Sequence, residues 1–197
     1  EVTFVALGPL TNLATALIER PDTAKRLKGV IAMGGNVYVP GNATPAAEAN
    51  VHADPEAAEI VLTSGVPLVM CGLDVTHRIT MTPTDLDRIA AIDSPQGAHL
   101  ARIIPFYRRF YENHVGSNGI YVHDSTTISF LRRPDLFTTE TLALGVDTSD
   151  GIGRGKLWPL RDTDAPPVTI CTDVDERAVV EEEIAVLAST AHDGSAT

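Results

Sequence analysis

Short runs of apolar residues alternate with segments of helical periodicity along the first 71 residues of the chain. The runs cover residues 2–7, 29–33 and 68–71, and they show little alternation of apolar with polar side chains. Strands of this kind are typical of a parallel sheet that is covered by helices on both faces. The sequence therefore predicts an α/β fold with a mostly parallel sheet and helices on both faces.

The segments between these runs have the spacing of amphipathic helices, with apolar residues recurring every three or four positions. The faces of the first two long helices comprise Leu10, Leu13, Ala14 and Leu17, and Ala57, Ala58, Val61 and Leu62. A capping side chain followed by proline predicts helix starts at Asp54-Pro55, Thr82-Pro83 and Ser94-Pro95. Towards the C-terminus we expect strands over residues 141–146 and 168–171 and a last helix over residues 173–188.

Composition and charge indicate a single globular domain over residues 1–197. The hydrophobic fraction is 44%, the charged fraction is 21% and the net charge is −11. Such a charge would repel nucleic acid and anionic membrane surfaces, so we expect neither as a partner. No apolar run is long enough to cross a bilayer. We expect a cytoplasmic protein with a disordered tail over residues 191–197.

The two cysteines are distant in sequence. Neither Cys71 nor Cys171 belongs to a C-x-x-C pair, so a zinc site or a disulfide framework is not expected. Both are predicted to be buried thiols.

Polar motifs follow the three predicted strands. They read Gly8-Pro9-Leu10-Thr11-Asn12, Met33-Gly34-Gly35 and Gly72-Leu73-Asp74-Val75-Thr76-His77. The loop after the second strand carries Asn42, Glu48 and Asn50, and Val122-His123-Asp124 lies further along the chain. Ligands bind parallel sheets at the carboxyl ends of the strands, so these motifs are predicted to converge on one crevice.

In this order the motifs resemble those of the inosine/uridine-preferring nucleoside hydrolases, over nearly the whole chain. The resemblance implies a Rossmann-like nucleoside hydrolase fold. The family opens with an aspartate-rich motif, D-x-D-P-x-x-D-D, which supplies the general base and most of the calcium ligands. No such cluster occurs in residues 1–197, and residue 1 precedes an apolar run directly. We therefore expect the C-terminal part of a hydrolase, with the N-terminal strands missing.

The resemblance assigns four residues to the sugar. Asn42, Glu48 and Asn50 match the family residues that hold the ribose hydroxyls, and Met33 matches an apolar contact with the ribose. Cleavage of an N-glycosidic bond builds positive charge on the sugar, so nearby carboxylates and amides help through their position and their field. Without the resemblance, Asn42 would be interpreted as a turn residue and Glu48 as a solvated side chain.

Three further residues are assigned to the leaving base and to a metal ion. His123 matches a proton donor near the base, a role that suits imidazole because it titrates close to neutral pH. Asp124 matches a calcium ligand, and Leu7 matches a position whose backbone carbonyl binds calcium, a cation that accepts both kinds of oxygen. From pattern alone, Asp124 is expected to cap the following helix. The other histidines, His77 among them, are interpreted as structural.

The predicted function of the complete enzyme is calcium-assisted hydrolysis of ribonucleosides to ribose and free base, in nucleoside salvage. The preferred base, purine or pyrimidine, stays open. Two alternatives also stay open, which are a nucleoside- or ribose-binding protein without turnover and an inactive fragment. The resemblance further implies a homodimer or a homotetramer.

Overall fold

The computed structural model describes residues 2–189, and the tail predicted over residues 191–197 lies outside them. Its central sheet has five strands in the order β1-β2-β3-β9-β6. The pairs β1–β2, β2–β3 and β3–β9 are parallel, and β6 runs antiparallel to β9. The strands are β1 (Val2–Ala6), β2 (Leu27–Met33), β3 (Leu68–Cys71), β4 (Thr80–Met81), β5 (Ile120–Tyr121), β6 (Phe137–Leu142), β7 (Leu144–Val146), β8 (Leu157–Pro159) and β9 (Val168–Val174).

Helices cover both faces of this sheet, as the sequence predicts. They are α1 (Thr11–Glu19), α2 (Thr23–Arg26), α3 (Ala49–Ala53), α4 (Pro55–Thr63), α5 (Leu73–Thr76), α6 (Pro83–Ala90), α7 (Pro95–His114), α8 (Ser125–Arg132) and α9 (Glu176–Ser189), with a 3-10 turn at Pro134–Leu136. Along β2 the side chains of Val30 and Ala32 enter the core that contains α1 and α4, whereas Ile31 enters the core that contains α6 and α9. The apolar runs are therefore buried from both sides, which explains their lack of alternation.

The predicted helix starts are confirmed at Pro55, Pro83 and Pro95, each of which is the first residue of its helix. The carboxylate of Asp54 accepts a hydrogen bond from the backbone N–H of Ala57 at 3.0 Å. Thr82 and Asp85 form a reciprocal capping box at the start of α6. These local bonds satisfy donors that a helix leaves unpaired, so the boundaries follow from the sequence.

Three details differ from the sequence prediction. The last helix begins at Glu176 rather than at residue 173, because β9 extends to Val174, which pairs with Phe137. The strand expected over residues 141–146 is divided between β6 and β7, which belong to different sheets. The loop before Asp54 contains the short helix α3, which the sequence pattern did not predict.

The parallel pairing of β3 with β9 brings the two cysteines together. Their sulfur atoms are 3.8 Å apart, and both residues are free buried thiols, as expected. Mutual contact and burial raise the pKa of Cys71 well above its ordinary value. Within residues 2–189, no helix combines the length and the apolar character needed to cross a bilayer.

Asp85 is a buried residue of α6 that bonds to Arg177 of α9. Its carboxylate accepts hydrogen bonds from Arg177 at 2.7 and 2.9 Å and from the hydroxyl of Thr82 at 2.7 Å. The Arg177 guanidinium holds the pKa of Asp85 far below its usual range, and the Thr82 contacts act in the same direction. A carboxyl whose pKa is lowered by folding stabilises the protein above its unfolded pKa of about 4, and this contribution is lost as the pH falls further.

We therefore expect Asp85→Asn to lower the free energy of unfolding by about 2 kcal/mol at neutral pH, because it removes charged hydrogen bonds. The variant should also lose stability less steeply than the parent protein on acidification. Urea denaturation over a series of pH values measures both effects. Asp87→Asn is the matched control, since Asp87 lies exposed on the same helix. An unchanged acid dependence in Asp85→Asn would contradict the assignment.

Candidate active site

The carboxyl ends of β1, β2 and β3 meet at one edge of the sheet. Ala6 pairs with Ala32 and Met33 pairs with Cys71, so Leu7 continues level with Met33. The backbone N–H of Leu73 donates to the carbonyl of Gly35 at 2.9 Å. A Cβ atom on Gly72 would lie 2.5 Å from that same carbonyl oxygen, so only glycine permits this approach.

Glu48 is buried, with 1% of its surface exposed. Its carboxylate accepts hydrogen bonds from the backbone N–H groups of Gly35 at 2.8 Å, Asn50 at 2.8 Å and Val51 at 3.1 Å. The last two contacts cap the N-terminus of α3. The pattern-based interpretation of Glu48 as a solvated side chain is therefore wrong, because this carboxylate closes the loop between β2 and α3.

Asn50 and Met33 lie in direct contact. The side-chain amide of Asn50 donates to the Met33 carbonyl at 3.0 Å and lies 3.3 Å from the Met33 sulfur. Asn42 is exposed, and its side-chain oxygen accepts from the backbone N–H of Ala49 at 3.0 Å. The four residues assigned to the sugar thus belong to one hydrogen-bonded loop with Glu48 at its centre.

Asn36 organises the same loop from inside the protein, and no sequence motif predicts this role. The residue is fully buried, and its amide nitrogen donates to the carbonyls of Val39 at 2.8 Å and Ala46 at 3.0 Å. Its side-chain oxygen accepts from the backbone N–H of Glu48 at 2.9 Å. One side chain therefore binds both ends of the loop. Asn36 directly follows the Met33-Gly34-Gly35 motif, but asparagine in a loop is a weak sequence signal.

Two charged residues hold the beginning of this loop. The buried carboxylate of Asp74 accepts from the backbone N–H groups of Val37 at 2.9 Å and Tyr38 at 2.7 Å. The ammonium group of Lys156 donates to the carbonyls of Asn36 at 3.2 Å and Val37 at 3.1 Å. Asp74 lies in one of the motifs that carry the family resemblance, but its role becomes visible only when α5 meets the loop.

His123 lies two residues beyond β5 and contacts the C-terminal end of α5. Its Nδ1 atom is 2.9 Å from the hydroxyl oxygen of Thr76, and its ring lies 5.5 Å from the ring of His77 in an edge arrangement. Burial, together with the neighbouring His77, lowers the pKa of His123 to about 4. The ring is therefore neutral near pH 7, which corrects the expectation that it titrates close to neutrality.

Asp124 occupies the N-cap position of α8 without capping it through its side chain. Its backbone is helical, with φ −67° and ψ −43°, whereas a capping side chain requires an extended backbone. The capping expectation is therefore wrong. Within residues 2–189, the Asp124 carboxylate has no hydrogen-bond partner, and partial burial raises its pKa. This leaves its oxygens available to a ligand.

The described residues alone do not form a complete metal site. No group of three or more His, Cys, Asp or Glu side chains between residues 2 and 189 is arranged to hold a metal ion. Asp124 offers a free carboxylate, and Leu7 follows the last residue of β1 with its side chain exposed. Carboxylate and carbonyl oxygens suit a hard cation, but calcium takes six to eight such ligands in total.

The short helix α5 connects the two halves of the site. Asp74 near its N-terminus binds the loop between β2 and α3, named the sugar loop for the role that the family resemblance assigns to it, and Thr76 at its C-terminus contacts His123. The structure thus connects the loop that carries Asn42 and Glu48 to His123 through α5, and Asp124 follows His123 in the chain. Leu7 is brought to the same edge of the sheet by the strand register alone.

Comparisons with known proteins identify the family. The sequence profile described as "Inosine-uridine preferring nucleoside hydrolase" matches residues 1–181. The chain is 38% identical over 184 residues to the pyrimidine-specific ribonucleoside hydrolase RihA of Enterobacter sp. (strain 638), covering 91% of this chain and 58% of the relative. It is 37% identical over 185 residues to RihA of Klebsiella pneumoniae, and this match covers 92% of this chain and 59% of the relative.

Solved structures agree with this match. The plant nucleoside hydrolase PpNRh1 superposes with a TM-score of 0.91 at 36% identity, covering 96% of this chain and 62% of that one. The purine-preferring ribonucleoside hydrolase from Gardnerella vaginalis superposes with a TM-score of 0.90 at 28% identity, covering 98% and 62%. The fold is that of the nucleoside hydrolases. The chain belongs to the inosine-uridine preferring nucleoside hydrolase family, and it spans about 60% of the length of these relatives.

The buried carboxylate of Glu48 should be essential for the sugar loop. We expect Glu48→Gln to lower the free energy of unfolding by about 2 kcal/mol, because one acceptor oxygen is replaced by an NH₂ group that faces a backbone N–H. Chemical denaturation measures this change. Glu59 lies exposed on α4 and serves as the control. Glu59→Gln should alter the free energy of unfolding by less than about 0.5 kcal/mol. Equal stability of the two variants would show that the loop does not depend on Glu48.

Proposed function

We propose that the full-length protein hydrolyses the N-glycosidic bond of ribonucleosides and releases ribose and the free base. The observation that carries this proposal is that Asp74 of α5 bonds to the loop that Glu48 closes, while Thr76 of the same helix contacts His123. A loop with a carboxylate suited to a sugar and an imidazole suited to a leaving base are thereby bonded to the same short helix. A common attachment of this kind favours catalysis by positioning.

At the sugar end, Glu48, Asn42 and Asn50 would bind the ribose hydroxyls, and Met33 would contact the apolar side of the ring. A carboxylate has about four lone-pair sites. The backbone groups of Gly35, Asn50 and Val51 occupy three of those on Glu48. One site on Oε1 remains for a hydroxyl donor. The negative charge so placed favours an oxocarbenium-like transition state.

At the base end, His123 would donate from its ring to the nitrogen that gains negative charge as the bond breaks. Its low pKa means that the neutral ring, which still carries one N–H, is the form present near pH 7. Donation to a developing charge in a partly buried site strengthens as the charge grows, so it acts mainly on the transition state.

At the metal position, the Asp124 carboxylate and the Leu7 carbonyl would hold a calcium ion, with the remaining ligands supplied by other groups. The free carboxylate and the hard oxygen donors fit such an ion. Bound calcium would supply Lewis-acid chemistry that polarises a water molecule and the ribose hydroxyls. The general base that the family resemblance implies belongs to an aspartate-rich motif, which residues 1–197 do not contain.

The proposal also includes the substrate, the cellular compartment and the oligomeric state. The substrate would be a free nucleoside in the cytoplasm, and the enzyme would act in nucleoside salvage as a homodimer or homotetramer. The relatives at 37–38% identity are named for pyrimidine specificity, whereas the one compared at 28% identity is named for purine preference. Uridine and cytidine are therefore proposed as better substrates than inosine.

The direct test is ribose release from uridine, cytidine and inosine by the full-length protein, with kcat/KM measured for each. Hydrolysis of any of the three supports the proposed reaction. Binding of all three by calorimetry without release of ribose would instead identify a nucleoside-binding protein. A higher kcat/KM for inosine than for uridine would overturn the proposed base preference.

Replacement of His123 tests its role directly. We expect His123→Ala to reduce kcat for uridine by about 100-fold, which is typical for loss of a group that donates to the leaving atom. The exposed His99 is the matched control, and His99→Ala should retain the parent rate. Steady-state ribose release measures both variants. A rate within about threefold of the parent for His123→Ala would exclude the role.

Removal of calcium tests the metal assignment. We expect chelation to abolish turnover and added calcium to restore it, because the ion would polarise the attacking water. Asp124→Asn should require roughly tenfold more calcium for half-maximal activity, since it loses an anionic ligand. Asp93→Asn serves as control, because Asp93 is also an exposed aspartate but lies in the α6–α7 connection. Full activity after exhaustive chelation would contradict a metal role.

A further inference from the structure

We propose that Thr76 is a positioning residue that fixes the ring of His123, so that Nε2 always carries the proton available to the leaving base. This inference rests on the proposed function, because it assigns the donor atom in that reaction. The two side chains meet at 2.9 Å, between Thr76 Oγ1 and His123 Nδ1. The contact joins residues 47 positions apart in the sequence.

The direction of this hydrogen bond follows from the surroundings of Thr76. The residue is fully buried, and within the described part of the chain its hydroxyl group has His123 as its one hydrogen-bond partner. A buried hydroxyl that donates to nothing is costly, so the O–H group donates to Nδ1. In the neutral ring Nδ1 is then the acceptor, and the ring proton resides on Nε2.

The assignment of the donor atom holds in both charge states of the ring. When the ring is cationic, both nitrogens carry protons, and Nδ1–H donates to the Thr76 oxygen. When it is neutral, the Thr76 hydroxyl holds the proton on Nε2. Among residues 2–189, Nε2 makes no hydrogen bond, so its N–H is free to bind a ligand. Without the hydroxyl, the neutral ring could place its proton on Nδ1 and present no donor at Nε2.

Thr76 is itself held in place by the site. Its backbone N–H donates to the carbonyl of Gly72 at 3.0 Å, at the end of β3. Two residues earlier, Asp74 binds the loop that contains the proposed sugar ligands. The His123 ring and the sugar loop are therefore both attached to α5. This shared attachment favours a constant distance between the proposed sugar ligands and His123.

The first test compares two kinds of substrate in Thr76→Val. Hydrolysis of uridine releases uracil, a poor leaving group that needs a hydrogen-bond donor, whereas 4-nitrophenyl riboside releases the stable 4-nitrophenolate anion without one. We expect kcat for uridine to fall at least about tenfold, with kcat for the nitrophenyl riboside within about threefold of the parent. Thr76→Ser keeps the hydroxyl and should restore uridine turnover.

Thr126→Val is the matched control, because Thr126 is equally buried but its hydroxyl donates to the carbonyl of Val122. Any loss in that variant should be the same for both substrates. An equal loss on both substrates in Thr76→Val, or a full rate on uridine, would overturn the positioning role.

The second test measures the proton directly by ¹⁵N NMR of histidine-labelled full-length protein, with the His123 signals assigned by their absence from His123→Ala. We expect a protonated Nε2 and an unprotonated Nδ1 at neutral pH, and a shift towards protonated Nδ1 in Thr76→Val. A parent ring that is protonated on Nδ1 alone would overturn the inference. This measurement needs no turnover, so it separates failure of the Thr76 assignment from failure of the proposed reaction.

Discussion

The loop between β2 and α3 depends on backbone amides that bond to two buried carboxylates. Glu48 accepts three of them and Asp74 accepts two. Buried carboxylates are tolerated only when their oxygens are paired, so each one forces the surrounding backbone into a defined path. Asn36 and Lys156 donate hydrogen bonds to backbone carbonyls of the same loop. The shape of the candidate sugar site therefore depends on the burial of the Glu48 and Asp74 carboxylates.

The buried carboxylate of Asp74 belongs to α5, which also contacts His123. This helix has four residues, and it begins where the carbonyl of Gly35 accepts from Leu73. A helix so short is held by its contacts rather than by its own hydrogen bonds. Its two polar side chains, Asp74 and Thr76, point to different halves of the site. The loop that Glu48 closes and the His123 ring are therefore both bonded to this helix.

Much of this arrangement was predictable from particular residues. The proline-containing helix starts were predicted because a cap is a local bond between neighbouring residues. The role of Asp124 as a cap was not borne out, because its backbone is helical, whereas a capping side chain requires an extended backbone. His77 was interpreted as structural, yet its ring lies beside His123. No spacing rule could find that pair, since the two histidines are 46 residues apart.

The sequence by itself determined the α/β class, the burial of the strands from both sides and the family, because each of these depends on local periodicity or on short motifs. Only the tertiary structure decided that Glu48 is buried, that Asn36 and Lys156 support the loop and that Thr76 holds His123. The bonds of Asn36 to Glu48, of Thr76 to His123 and of Lys156 to Asn36 join residues 12, 47 and 120 positions apart, and their energies depend on burial. A side chain becomes a ligand, a cap or a support only when folding removes water from it.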